Sequence, residues 1–279
     1  MGLYGLMQAA VSTPAKWPIK LGSSFACLLS SLFSSLFSLL SPGPVSLCPK
    51  LTAYPPMTLE VLEAQTGQPH EAPVATIIIM HGLGADGRDF MPIAQQLDLS
   101  RVGPVRFLFP SAPSIPVTIN GGYVMPAWYD ILAADLVRRE DEAGLRQSRA
   151  SIEALLAHEK ERGMPAARIV VAGFSQGCAM ALMVGLRHAE PLAGIVALSG
   201  YLPLAALTAG ERSPASQNTP IFMAHGTRDP VVVIARAQES RLALQAMGFT
   251  VDWHDYPMEH SVCPEEISDL QDWLIKTLA

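Results

Sequence analysis

Apolar residues along this chain fall into short unbroken runs, separated by longer stretches with helical spacing. Ala75-Thr-Ile-Ile-Ile-Met80 is the clearest run. Six residues without a charge predict a central strand covered on both faces. Leu59–Ala64 reads as an edge strand. Val105–Phe109, Ile169–Val171, Ile195–Leu198, Ile221–Ala224 and Val251–Tyr256 read as further strands. Helices are predicted at Phe90–Leu97, Ala179–Leu186, Ile234–Met247 with a stop at Gly248, and Glu265–Leu278. Tyr129–Arg162 reads as a helical region interrupted near Gly144, with Arg138, Arg139, Glu140, Asp141 and Glu142 on a solvated face. Pro110–Trp128 carries four prolines and Gly121-Gly122, so it reads as a long loop; loops of that length are usually functional. Strands alternating with helices predict an α/β fold: a mostly parallel, twisted central sheet with helices on both faces. Ligands of such sheets bind at the carboxyl ends of the strands.

Residues 1–56 follow a different pattern. Lys16 and Lys20 precede Leu21–Leu40, which has no charge but seven serines, and Ser41-Pro-Gly-Pro44 breaks the run. This predicts a leader outside the core, either disordered or an upstream extension of a chain that starts at Met57. A signal peptide or membrane anchor is the alternative, although the serines weaken any insertion. The expected location is accordingly cytoplasmic, or exported or anchored if the leader is a true signal. Residues 57–279 are expected to form one catalytic domain. The whole chain has 279 residues and a net charge of −6, which suits one sizeable α/β domain. A mildly acidic chain without a basic stripe is not expected to bind nucleic acid. Cys27, Cys48, Cys178 and Cys263 lack metal-ligand spacing, so no metal site is expected.

The chemistry centres on Gly173-Phe174-Ser175-Gln176-Gly177. This G-x-S-x-G sits between an apolar β-branched run and a small-residue helix, the context in which a sharp turn lifts a serine hydroxyl above the sheet. A free hydroxyl is a poor nucleophile and needs a base. His260 follows the last strand and comes last, which suits the order Ser…Asp…His. Asp229, after the strand Ile221–Ala224, is the expected orienting acid; Asp255 and Glu259 are weaker rivals. His81 and His225 each precede a glycine and are expected to shape turns. Two backbone donors are needed for an oxyanion, and they are expected from Gln176 and from Leu83 in His81-Gly-Leu-Gly84.

Taken together, the motifs resemble the phospholipase/carboxylesterase group of α/β-hydrolases, which includes acyl-protein thioesterases. They are His81-Gly-Leu-Gly-Ala-Asp-Gly87, Pro126-Ala-Trp-Tyr-Asp130, Gly173-Phe-Ser-Gln-Gly177, His225-Gly-Thr-Arg-Asp-Pro-Val-Val232 and Tyr256-Pro-Met-Glu-His260. The resemblance covers residues 57–279. It implies Ser175 as nucleophile, His260 as base, Asp229 as acid, Leu83 and Gln176 as oxyanion donors, and no cofactor. The main expectation is a serine carboxylesterase acting on small-molecule esters of short to medium acyl chains. The alternative is an acyl-protein thioesterase or lysophospholipase using the same site, and the remote alternative is a non-catalytic binding protein. Trp128 and Met125 are expected to line the acyl side, with packing under the loop as the other role open to Trp128. No membrane contact is expected of the catalytic domain, and a homodimer is left open.

Overall fold

The computed structural model describes residues 59–68, 70–133 and 139–279. The leader expected at 1–56 lies outside the described residues. Nine strands are present among them: β1 (Glu60–Gln65), β2 (Ala75–Met80), β3 (Val105–Ser111), β4 (Ser114–Val117), β5 (Tyr123–Pro126), β6 (Ile169–Phe174), β7 (Gly194–Leu198), β8 (Ile221–Gly226) and β9 (Val251–Tyr256). Seven of them form one sheet in the order β1-β3-β2-β6-β7-β8-β9. β1 runs antiparallel to β3, and every other neighbouring pair is parallel. The helices are α1 (Met91–Gln96), α2 (Glu142–Glu161), α3 (Gln176–Gly185), α4 (Ala205–Glu211), α5 (Ile234–Ala246) and α6 (Pro264–Leu278).

The unbroken apolar run of β2 serves two faces at once. Successive side chains of a strand point to opposite sides. Ile78 and Met80 pack with Val171 of β6 and with α3, whereas Ile77 and Ile79 pack with Phe107, Phe109 and α6. Helix α3 is buried around its whole circumference, which accounts for the lack of charged residues along it. This is an α/β-hydrolase fold, as the resemblance of the motifs implies; the alternation of elements predicts its mostly parallel sheet between helices.

Two local expectations need correction. Among the described residues the helix expected over Tyr129–Arg162 runs only from Glu142, and Arg138 lies outside those residues. Asp141 caps it by accepting the Gly144 N–H at 2.9 Å, and its other oxygen accepts the Asp130 N–H at 2.9 Å. Glu140 likewise accepts the Leu204 N–H at 2.9 Å, so these acids bind main chain instead of coating a solvated face. The second correction concerns Pro110–Trp128. Its first two residues complete β3, and β4 and β5 pair as an antiparallel hairpin, Ile115 opposite Met125. Gly121 and Gly122, at φ +67° and +81°, make its turn. Strands of four residues containing proline leave too little alternation to be read from sequence.

Two buried glutamates have opposite surroundings. Glu159 accepts from Thr76 Oγ1 at 2.8 Å, Arg106 Nη1 at 2.8 Å and Arg162 Nη1 at 2.9 Å. Glu266, in the first turn of α6, is equally buried, and neither of its oxygens completes a hydrogen bond among the described residues. Burial pushes its carboxyl up to about 8 from the ordinary 4.5, only partly offset by the Cys263 N–H. The folded state therefore holds a proton that the unfolded state releases between those two values. Stability should fall as pH rises from about 4.5 to about 8, by about 5 kcal/mol. Glu266→Gln is expected to flatten that fall and to melt several degrees above the wild type at about pH 9. Melting curves across that range check it; parallel pH slopes for the two proteins would refute it.

Candidate active site

The turn from β6 into α3 is built by very close backbone approaches. A Cβ on Gly173 would lie 2.0 Å from Gly177 O, and one on Gly177 would lie 2.0 Å from Met80 O, so neither position tolerates a side chain. Ser175 between them has φ 56° and ψ −114°, a conformation that costs on the order of 1–3 kcal/mol outside glycine. Its N–H is held by Leu198 O at 2.9 Å. The hydroxyl does not cap the helix it begins, and so is free to point elsewhere. It meets His260, whose Nε2 lies 2.9 Å from Ser175 Oγ.

His260 reaches that position because two loops are laced together. Thr227 N–H donates to Tyr256 O at 2.8 Å and Arg228 N–H to Met258 O at 3.1 Å. The segment after β8 and the segment after β9 therefore run side by side, which sets Asp229 against His260. Asp229 Oδ2 lies 2.7 Å from His260 Nδ1. Oδ1 accepts from the Val231 and Val232 N–H groups at 2.8 and 2.9 Å. The Phe174 ring rests 4.8 Å from the imidazole and walls its other side.

Burial alone would raise the Asp229 carboxyl. Hydrogen bonds from His225 and His260, with the positive character of His260, more than reverse this and hold it well below the usual carboxylate range. An ionised carboxylate only accepts, so His260 Nδ1 donates to it and Nε2 is left to accept the Ser175 O–H. His225, fully buried, places Nε2 2.7 Å from Val232 O and 3.4 Å from Asp229 Oδ2. This second histidine partner of Asp229 was not anticipated beyond a turn-shaping role. Asp255 and Glu259 are exposed, and Asp255 accepts from its neighbour Trp253 at 3.4 Å.

Gln176 is the first residue of α3, where an N–H has no carbonyl behind it within the helix. Leu83 lies in the turn after β2, and its N–H takes no partner among the described residues, while Gly84 N–H donates to Pro126 O at 2.9 Å. Gly82 brings this turn against Ser175: a Cβ built on it would sit 3.4 Å from Ser175 Cβ. The turn that carries Leu83 thus packs against the serine at Gly82, and Gln176 follows Ser175 directly in the chain. His81 shapes the turn, with Nδ1–H donating to Gly82 O at 2.7 Å and Nε2 accepting the Ala112 N–H at 2.9 Å.

Trp128 is not on the wall of the site. It is 1 % exposed, and its indole N–H donates to His81 O at 2.9 Å. A buried indole needs a partner for its N–H, and that requirement fixes the ring beneath the turn, with no surface to offer an acyl chain. Met125 stays half-buried at the rim, with Sδ 3.6 Å from where a Gly84 Cβ would be. Sequence reasoning also missed the Gln176 side chain, which accepts the Trp128 N–H and donates to Tyr129 O, both at 2.7 Å. Among the described residues no group of three or more His, Cys, Asp or Glu is arranged to hold a metal, and no helix is long and apolar enough to cross a membrane.

A mostly parallel sheet with a strained serine turn at its carboxyl edge is the arrangement of an α/β-hydrolase. The chain belongs to the phospholipase/carboxylesterase family, whose profile matches residues 62–278. It is 45 % identical over 214 residues to acyl-protein thioesterase 1 of Neurospora crassa, covering 73 % of this chain and 87 % of the relative. The same protein of Yarrowia lipolytica is 41 % identical over 208 residues, covering 73 % and 92 %. The crystal structure of acyl-protein thioesterase 2 of Zea mays superposes with a TM-score of 0.69 at 30 % identity, covering 79 % of this chain and 99 % of that one. These relatives favour the thioesterase alternative over the carboxylesterase expected first.

Proposed function

We propose that this chain is a serine hydrolase that removes acyl groups from protein thioesters, with carboxylic esters as secondary substrates of the same site. The observation that carries the hydrolase reading is the line Ser175–His260–Asp229, with separations of 2.9 and 2.7 Å. The choice of thioester rests on the names of the relatives.

In this reading His260 Nε2 takes the proton as Ser175 Oγ attacks the acyl carbon. Asp229 holds the imidazole in the tautomer that accepts, and then stabilises the imidazolium. The carbonyl oxygen becomes an oxyanion facing Gln176 N–H and Leu83 N–H, each worth about 3–4 kcal/mol in the transition state. The carbon–sulfur bond breaks and the departing thiolate receives the proton from His260. Water then enters on the same path, loses a proton to His260 and releases the carboxylic acid, restoring Ser175. A thiol, with an ordinary pKa of about 8.5, needs far less protonation to leave than an alcohol does, so one site serves thioesters more readily than alkyl esters.

Paired peptides carrying the same acyl chain on cysteine or on serine test this. The S-acyl peptide is expected to be turned over at least about 10-fold faster, on the leaving-group argument. Hydrolysis of the O-acyl peptide alone would remove the thioesterase reading, and hydrolysis of neither would leave a binding protein.

A further inference from the structure

The two proposed oxyanion donors sit on different elements, and each must be placed within a few tenths of an ångström to act. Leu83 lies between two glycines, so its peptide has little stiffness of its own. It is gripped on both sides by one segment. His81 O, before it, accepts the Trp128 indole N–H at 2.9 Å, and Gly84 N–H, after it, donates to Pro126 O at 2.9 Å. The same segment grips the other donor's residue. The Gln176 side chain, 3 % exposed, accepts Trp128 N–H and donates to Tyr129 O, both at 2.7 Å. The bonds made by Trp128 and the Gln176 side chain are buried, where water does not compete and a broken bond is costly.

We propose that Pro126–Tyr129 is a bracket that sets the spacing of the two oxyanion donors, with Trp128 as its positioning residue acting through the indole N–H. Trp128 touches no reacting atom; it acts on the turn that carries Leu83. The proposal rests on the serine-hydrolase reading above.

The test compares wild type with Trp128→Phe, which keeps a buried aromatic ring but removes the indole donor and some of the ring's volume, and with Gln176→Met, which keeps the backbone N–H. Active sites are titrated with a fluorophosphonate, so that misfolded protein does not count. Each variant is expected to lose about 10–100-fold in kcat per titrated site, less than deletion of a whole donor, while KM changes by less than about 2-fold. The Ki of a trifluoromethyl ketone, whose adduct places an oxyanion in the same spot, should rise by the same factor as kcat falls. A merely structural role would lower the melting temperature and leave kcat per site and Ki unchanged, and that result overturns the bracket. Should Trp128→Phe fail to fold, benzothienylalanine at position 128, which replaces N–H by sulfur in the same shape, takes its place with the same expected outcomes. A wild-type protein that is neither titrated nor active would overturn the hydrolase reading itself; a titrated, active wild type with unaltered variants overturns the bracket alone.

Discussion

Ser175→Ala is expected to lose about 10⁴–10⁶-fold in kcat on an S-acyl substrate while remaining folded. The hydroxyl is the only group of this side chain engaged in the line to His260, at 2.9 Å. Alanine keeps the Cβ and therefore the strain of the φ 56° backbone, so the turn keeps its shape. The main-chain bond to Leu198 O is untouched. Residual rate would come from water activated by His260 and from the two backbone donors, which no side-chain change at this position removes. Ser175→Gly should be equally inactive but melt higher than Ser175→Ala, because glycine adopts this conformation without the penalty. Rates with pre-formed S-acyl peptide and melting curves check both statements. A Ser175→Ala protein with wild-type turnover would end the serine mechanism.

Asp229→Asn is the second large effect, expected at about 10⁴-fold in kcat, the scale of a wrong-tautomer histidine. The carboxylate is fully buried and accepts on both oxygens: two backbone N–H groups on Oδ1 and His260 on Oδ2. An amide has one oxygen and one NH₂. The two backbone donors claim the oxygen, and the NH₂ is turned toward His260 Nδ1. That nitrogen must then accept, which moves the proton to Nε2 and leaves Ser175 facing a donor instead of a base. The loss should be the same at every pH, because the carboxyl of the wild type, held well below the usual range, is ionised throughout the working range. A kcat–pH profile of the two enzymes checks this. Rates that converge at alkaline pH would show that charge alone, and not the tautomer, is what Asp229 supplies.

The fold was legible where burial is two-sided. Strands such as β2 and β6 must be apolar throughout when helices cover both faces, so an unbroken run of β-branched residues has one good solution. It was less legible where short-range polar bonds decide. Asp141 as a cap and Glu140 as an acceptor look like surface charges until the Gly144 and Leu204 N–H groups arrive beside them. The hairpin of β4 and β5 was hidden by its prolines. For Trp128 the sequence leaves two roles open, lining the acyl side or packing under the loop; the second holds because the indole N–H finds its partner at His81 O, a residue 47 positions away.

Sequence alone determined the order of the seven main-sheet strands along the chain, the turn in which only glycine fits at 173 and 177, and which polar residues end strands on the carboxyl edge of the sheet. These are local matters: period, chain order and steric limits act over a few residues. Tertiary structure alone decided that residues 85 positions apart, Ser175 and His260, meet at 2.9 Å, that His225 joins Asp229 from the side, and that Trp128 lies under the site. Those outcomes depend on how two loops lace together and where buried donors find acceptors, and such pairings carry no periodic mark along the chain.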